Sequence, residues 1–127
     1  MTDQEYCRKM AELEGWFDIQ ETTYGRLCGR NPNDPNQDLG DIPDYRNDLN
    51  ALIRIANILR EKLGDEWVFH YSTPHPAGKH SWDKLHEGVF SYSKRTFDIL
   101  SRADTQEVAI WIACCRAWDY LKEQDNA

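Results

Sequence analysis

The chain has 127 residues, of which 40% are hydrophobic, a length that suits one hydrophobic core and predicts a single domain over residues 1–127. Its 15 Lys and Arg residues against 22 Asp and Glu residues give a net charge of −7, which argues against direct binding to nucleic acid or to an anionic membrane. No apolar run approaches the roughly 18 residues that span a bilayer, and the polar start has no signal-peptide core, so we expect a cytoplasmic protein.

The first part of the chain predicts a helix followed by strands. Thr2 and Glu5 have the spacing of a capping box, apolar residues follow at helical intervals, and Gly15 is placed to end the helix. These signals predict a helix over residues 2–14. The β-branched and aromatic residues that come next predict a strand or a hairpin around residues 17–27.

Residues 29–43 differ in composition from the rest of the chain. They hold three of the five prolines together with several Asn, Asp and Gly residues, which predicts an exposed loop. After it, a stripe of Leu, Ile and Ala residues at helical spacing predicts a second helix, with Asp44 or Asn47 as its N-cap and Gly64 as its stop.

The second half of the chain predicts three more strands. Residues 66–72 are rich in aromatic side chains and predict one strand, and residues 88–94 predict its antiparallel neighbour. Residues 73–87 between them, which are basic and rich in histidine, predict an irregular loop. Residues 96–100 predict a further short strand.

The last predicted helix is the central element of the predicted fold, against which the others pack. It is expected from Asp104, which has capping-box spacing to Glu107, as far as Lys122, and it is apolar almost all round. Such a helix needs cover on two sides, from a sheet and from another helix or a second copy of the chain. The element order predicts an α+β fold, with an antiparallel sheet of three to five strands covered by helices. The same apolar helix predicts a homo-oligomer.

Signals for catalysis or metal binding are weak. The four histidines lie five, five and six residues apart, which is not the spacing of two ligands on one helical turn, and no cysteine lies near enough to complete a zinc site. The four cysteines form no CxxC pair, and we interpret them as small buried hydrophobic residues. There is no GxSxG nucleophile motif and no glycine-rich phosphate loop. We therefore expect no enzyme activity, no cofactor and no metal.

The most suggestive residues are aromatic and basic ones at the edges of the two predicted loops. An aromatic face stacks on a nucleotide base, and arginine pairs with phosphate, so this combination in an acidic protein favours a small nucleotide ligand over a polymer. The alternative is that the tryptophans belong to the core and the cations to solvated strand edges. The candidate ligand-binding residues are Trp16, Tyr24, Arg26, Arg30, His80, Trp82, Tyr92 and Arg95.

Three blocks of sequence resemble a known family. They are residues 12–16 (ELEGW), residues 43–51 (PDYRNDLNA) and residues 103–110 (ADTQEVAI), the last with Arg116, Ala117 and Trp118 further along the same helix. Together they are similar to the small phage and prophage proteins grouped as the phage ABA sandwich domain. The resemblance implies a viral accessory protein made in the cytosol of a bacterial host, and it implies no particular activity.

Two functional hypotheses follow. In the first, a phage protein counteracts bacterial defence by binding and sequestering a small (cyclic) nucleotide signal in a preformed site, without catalysis. In the second, the acidic surface is an interaction module that inhibits a basic host protein, such as a nucleic-acid-handling effector of the CRISPR kind. The acids that carry the second hypothesis are Asp34, Asp38, Asp41, Asp44 and Asp48.

Overall fold

The computed structural model confirms an α+β fold. It describes residues 1–34, 36, 38–75 and 77–125, so Pro35, Gln37 and Pro76 of the two predicted loops lie outside the described residues. The described residues form three α-helices and two three-stranded antiparallel sheets. They divide into two compact units, Met1–Tyr45 and Arg46–Ala127. The single domain stays a prediction, because a compact unit need not fold by itself.

The first unit begins with helix α1, Asp3–Leu13. The predicted capping box is confirmed: the Glu5 amide donates to Thr2 Oγ1 and the Thr2 amide donates to Glu5 Oε2, both at 3.2 Å. Two of the amides that would otherwise lack partners at the helix start are thereby satisfied. Gly15, just beyond the helix, has φ +95°, a left-handed conformation that glycine adopts without steric cost.

The first sheet consists of β1 (Phe17–Glu21), β2 (Leu27–Arg30) and β3 (Gly40–Asp41), in that order. The predicted hairpin is confirmed, with β1 and β2 antiparallel. The predicted loop over residues 29–43 is wrong at both of its ends, because β2 extends to Arg30 and β3 pairs with β2. A strand of two residues is too short to show any alternation of polar and apolar side chains.

The second unit begins with helix α2, Leu49–Leu63. Its N-cap is Asp48, whose Oδ1 accepts from the Ala51 amide at 3.1 Å, so the expected cap at Asp44 or Asn47 is wrong. Gly64 ends the helix as predicted, with φ +122° and its amide donating to the Arg60 carbonyl.

The second sheet consists of β4 (Trp67–Ser72), β5 (His86–Tyr92) and β6 (Phe97–Ala103), antiparallel and in chain order. The predicted pairing of the first two is confirmed, although β5 begins two residues earlier than expected. Between β4 and β5, residues Ser81–Lys84 form a 3-10 helix.

Helix α3, Gln106–Asp125, packs against β5, β6 and α2. The predicted cover on two sides is confirmed within this unit. The expected cap at Asp104 is wrong, because the Val108 amide donates to Thr105 Oγ1 at 3.3 Å and places the helix start one residue later. Close packing depends on Gly88, where an added Cβ would lie 3.1 Å from the Ala109 carbonyl oxygen.

Side chains alternate between the two faces of the second sheet. We call the face that carries Gly88 and Phe90 the inner face, because α3 packs there, and the opposite face the outer face. At one end of the inner face, Trp67 contacts three other rings, with centroid distances of 5.2 to 5.9 Å; these are Tyr92, Phe97 and Tyr120. The outer face carries Glu87 and Arg102 as a cross-strand pair.

Candidate functional site

The loop between β4 and β5 is organised around Asp83. The carboxylate Oδ2 of Asp83 accepts from the His80 amide at 3.0 Å, and the Asp83 carbonyl accepts from the His75 amide. Gly78 lies so close to Asp83 that an added Cβ would overlap with the aspartate side chain. These contacts connect the described residues of the loop, and residues Ser81–Lys84 within it form a 3-10 helix.

Two of the predicted ligand-binding residues come together in this loop. The rings of His80 and Trp82 stack with centroids 4.3 Å apart and planes within 6° of parallel. Both residues are exposed, and Trp82 keeps 47% of its surface accessible to solvent. An exposed tryptophan held by a parallel ring offers an ordered aromatic surface, which is a common feature of binding sites.

Arg102, which is not among the predicted ligand-binding residues, lies next to this stacked pair. The guanidinium carbon of Arg102 lies 5.7 Å from the Trp82 ring centroid, and Arg102 Nε donates to Glu87 Oε2 at 2.9 Å. The terminal nitrogens of Arg102 make no hydrogen bond to any residue that the structure describes. Arg102 was missed because its approach to Trp82 follows from the pairing of residues 87 and 102, which no local motif encodes. We call His80, Trp82 and Arg102 the loop platform.

Tyr92 and Arg95 do not join the loop platform. Tyr92 is five residues along β5 from Glu87, about 17 Å at 3.3–3.4 Å per residue, and it lies on the inner face with Trp67. Its hydroxyl is 3.0 Å from Glu66 Oε2, and this hydrogen bond raises the pKa of Tyr92 above its ordinary value. Arg95 is exposed in the turn after β5. The structure therefore gives Tyr92 a packing role and sets both residues apart from Trp82.

The other four predicted residues belong to the first unit and do not form one cluster. Tyr24 is 93% exposed at the tip of the β1–β2 hairpin, Arg26 beside it is exposed, and Trp16 is half-buried between α1 and β1. Arg30 Nε donates to Asp18 Oδ2 at 2.9 Å, and Asp18 has φ +52° where the β1–β2 register shifts. Arg30 thus supports a β-bulge, which is a structural role.

The histidines are dispersed through the second unit. His70 is exposed on the outer face of β4, while His86 belongs to β5 on the inner face, where its buried Nδ1 has no hydrogen-bond partner among the described residues. In the part of the chain that the structure describes, no three His, Cys, Asp or Glu side chains are grouped in a way that could hold a metal ion.

Charge is divided unequally between the two units. Residues 1–45 contain four Lys and Arg against ten Asp and Glu, so they carry −6 of the net charge of −7. Residues 46–127 contain 11 Lys and Arg against 12 Asp and Glu and are nearly neutral. The loop platform therefore lies in the unit in which a negatively charged ligand meets less repulsion.

Comparison with protein-family models, with curated proteins and with solved structures found no match to this chain. Among the described residues, no helix combines the length and the hydropathy needed to cross a bilayer. The features that bear on function are therefore the local chemistry of the loop platform and the distribution of charge.

Proposed function

We propose that this protein binds a small nucleotide on the loop platform and acts by sequestering it, without catalysis. The observation that carries the proposal is the parallel stack of His80 on a half-exposed Trp82, with the guanidinium of Arg102 over the same ring. An aromatic base can stack on the exposed rings, and a phosphate can accept from the terminal nitrogens of Arg102.

The arrangement around Arg102 supports a binding role. Glu87 occupies Nε of Arg102 and fixes the direction of the guanidinium, while the terminal nitrogens remain available for a ligand. Lys79 and Lys84, both exposed, flank the stacked pair in sequence and add positive charge to the loop. A ligand that offers a flat ring and an anion at once fits this combination better than a purely apolar ligand does.

Each contact is expected to contribute modestly to the free energy of nucleotide binding. Stacking of a base on an aromatic side chain contributes about 1–3 kcal/mol, and a hydrogen bond to a charged group about 1.5–3 kcal/mol. Replacing Trp82 or Arg102 with alanine should therefore weaken binding by roughly tenfold to a hundredfold.

The biological role that we propose follows from the resemblance to small phage proteins of the ABA sandwich group. A phage protein in the host cytosol that sequesters a signalling nucleotide, cyclic or linear, would blunt a defence response that depends on that signal. Sequestration needs affinity and abundance only, which agrees with a site composed of stacking and ion-pairing groups.

The test is native mass spectrometry of the protein purified from a bacterial host, followed by calorimetric titration with a panel of linear and cyclic nucleotides. We expect a retained nucleotide that is lost on denaturation, and binding that Trp82→Ala and Arg102→Ala each weaken while their far-UV circular dichroism is unchanged. Tyr24→Ala and Arg95→Ala are the matched controls, an exposed aromatic residue and an exposed cation away from Trp82. Equal affinity in Trp82→Ala and the parent would remove the loop platform as the site.

A second candidate function has its own observation, the concentration of negative charge in residues 1–45. We propose as the alternative that this acidic unit binds a basic host protein, such as a nucleic-acid-handling effector, and inhibits it. Reversing Asp38 and Asp41, both exposed, to lysine should then abolish capture of the partner in pull-downs and leave nucleotide binding intact. Capture that persists in the double variant and is insensitive to salt would argue against this alternative.

A further inference from the structure

The two edges of the second sheet differ in how they are protected. At the β6 edge, Arg116 of α3 donates to the outward-facing carbonyl of Leu100, and Asp98 and Arg102 place charges along the strand. Charged residues and a covering side chain are the usual means by which an edge strand avoids pairing with another chain.

Among the residues that the structure describes, none protects the second half of the β4 edge in this way. The Ser93 amide donates to the Glu66 carbonyl at 2.9 Å, which fixes the alternation of the ladder, so Trp67, Phe69 and Tyr71 direct their backbone groups away from β5. Both backbone groups of Trp67 already have hydrogen-bond partners, since its amide donates to the Gly64 carbonyl and its carbonyl accepts from the Arg60 side chain. Those of Phe69 and Tyr71 have no partner among the described residues.

The side chains of β4 add to this contrast. No Lys, Arg, Asp, Glu or Pro occurs from Trp67 to Ser72. Val68 is 52% exposed and Tyr71 37% exposed, and His70 and Ser72 are exposed as well. An uncharged, exposed edge of this length is a template for the addition of another strand.

We propose that β4 pairs with β4 of a second copy of this chain, antiparallel, to join two three-stranded sheets into one of six strands. Only residues with outward-facing backbone groups can bond across the new interface. Because Trp67 is already bonded, the register that uses the available groups sets Phe69 opposite the partner's Tyr71, and Tyr71 opposite the partner's Phe69. Four backbone hydrogen bonds then form between the two strands. They are related by a two-fold axis that passes between the two His70 residues.

The charges at the two ends of β4 favour a second copy of this chain as the partner and an antiparallel orientation of the two strands. Asp65 precedes β4, with Glu66 already paired to Lys94 of the same chain, and His75 and Lys79 follow the strand. Antiparallel pairing brings the acidic start of one strand beside the basic loop of the other, whereas parallel pairing would bring like charges together. The uncharged centre lets two chains of net charge −7 meet without close repulsion between strands.

The register makes His70 the position to test, because the two His70 side chains face each other on the outer face. Sedimentation equilibrium of the full chain should give twice the 14.9 kDa mass of one chain. His70→Lys places two ammonium groups in opposition and should raise the dissociation constant by about tenfold or more, while His70→Val should lower it. Val108→Lys, which alters an exposed apolar residue of α3, is the control and should leave the dimer intact.

A second pair of variants keeps the test independent of charge. Tyr71→Pro removes an outward-facing amide and should yield monomers with a native circular dichroism spectrum, since proline is tolerated where an edge amide faces outward. Phe69→Ala keeps both backbone groups of that position and should retain a dimer. A monomeric parent protein, or a dimer that Val108→Lys dissolves and Tyr71→Pro does not, would overturn pairing through β4.

Discussion

Replacement of Gly88 by alanine tests whether the close approach of α3 to β5 determines the stability of the second unit. An added Cβ would lie 3.1 Å from the Ala109 carbonyl oxygen and 3.2 Å from the Ile110 Cα. Both are backbone atoms inside a helix, so they cannot rotate away and the helix must move. Overpacking of this kind costs about 1–3 kcal/mol, while replacing a strand glycine with alanine returns about 0.5–1 kcal/mol of backbone entropy. We expect a net loss of about 1–2 kcal/mol in the free energy of unfolding.

The assay is urea denaturation followed by far-UV circular dichroism, with Gly40→Ala as the matched control. Gly40 also lies in a strand, and an added Cβ there meets nothing within 4 Å. Gly40→Ala should leave the free energy of unfolding unchanged or raise it slightly. Trimming Ile110 to alanine in the Gly88→Ala background should not restore stability, because the obstruction is backbone. A Gly88→Ala protein as stable as its parent would refute the reasoning.

Three further predictions concern single groups. Asp48→Ala should lower the free energy of unfolding by about 1 kcal/mol through loss of the α2 cap, and Asp48→Asn should retain most of it, as urea titration can show. His86→Phe should leave the free energy of unfolding unchanged or raise it in the same assay, because the buried Nδ1 that it removes has no hydrogen-bond partner among the described residues. A destabilisation above about 1 kcal/mol would mean that the imidazole does make a hydrogen bond. Burial raises the pKa of the Cys114 thiol, so in Ellman's assay the half-buried Cys28 should react first and Cys114 only on unfolding. The unfolded thiol ionises above about pH 8.5 and the folded one does not, so this group should also lower stability as pH rises past that value.

The fold was predictable where local chemistry and periodicity agree. The capping box of Thr2 and Glu5, the stop at Gly64 and the aromatic strand that became β4 are all visible in the sequence and present in the structure. The errors fall at helix starts and at the ends of strands, where β2 and β3 extend into the predicted loop over residues 29–43. Asp44 and Asp104 are good N-cap residues by type, but Asp48 and Thr105 accept the hydrogen bonds, since several adjacent residues could cap and tertiary packing decides among them.

The candidate site was predictable only in part. His80 and Trp82 were each selected as ligand-binding candidates at a loop edge, but that their rings stack on each other is seen only in the structure. Arg102 was missed, and the position of Tyr92 beside Trp67 was not foreseen, because both depend on strand register. A residue of β5 faces α3 or the outer surface according to its position in the ladder, and a shift of one residue reverses the face.

The two functional proposals predict different responses to salt, and the charges near each surface show why. Around the loop platform, the cations Lys79, Lys84 and Arg102 exceed the acids Asp83 and Glu87 by one charge, so binding of a small anion gains little from long-range attraction. Short-range contacts, namely stacking on Trp82 and the hydrogen bonds of Arg102, supply most of the affinity and depend little on ionic strength. The first unit carries a net charge of −6, and binding of a basic protein to it should fall steeply as added salt shortens the screening length from about 10 Å at 0.1 M to 3 Å at 1 M. A nearly flat salt titration of nucleotide affinity, together with partner capture that disappears in salt, would assign each surface its own ligand. A nucleotide affinity that collapses with salt would show that the short-range contacts to Trp82 and Arg102 do not dominate.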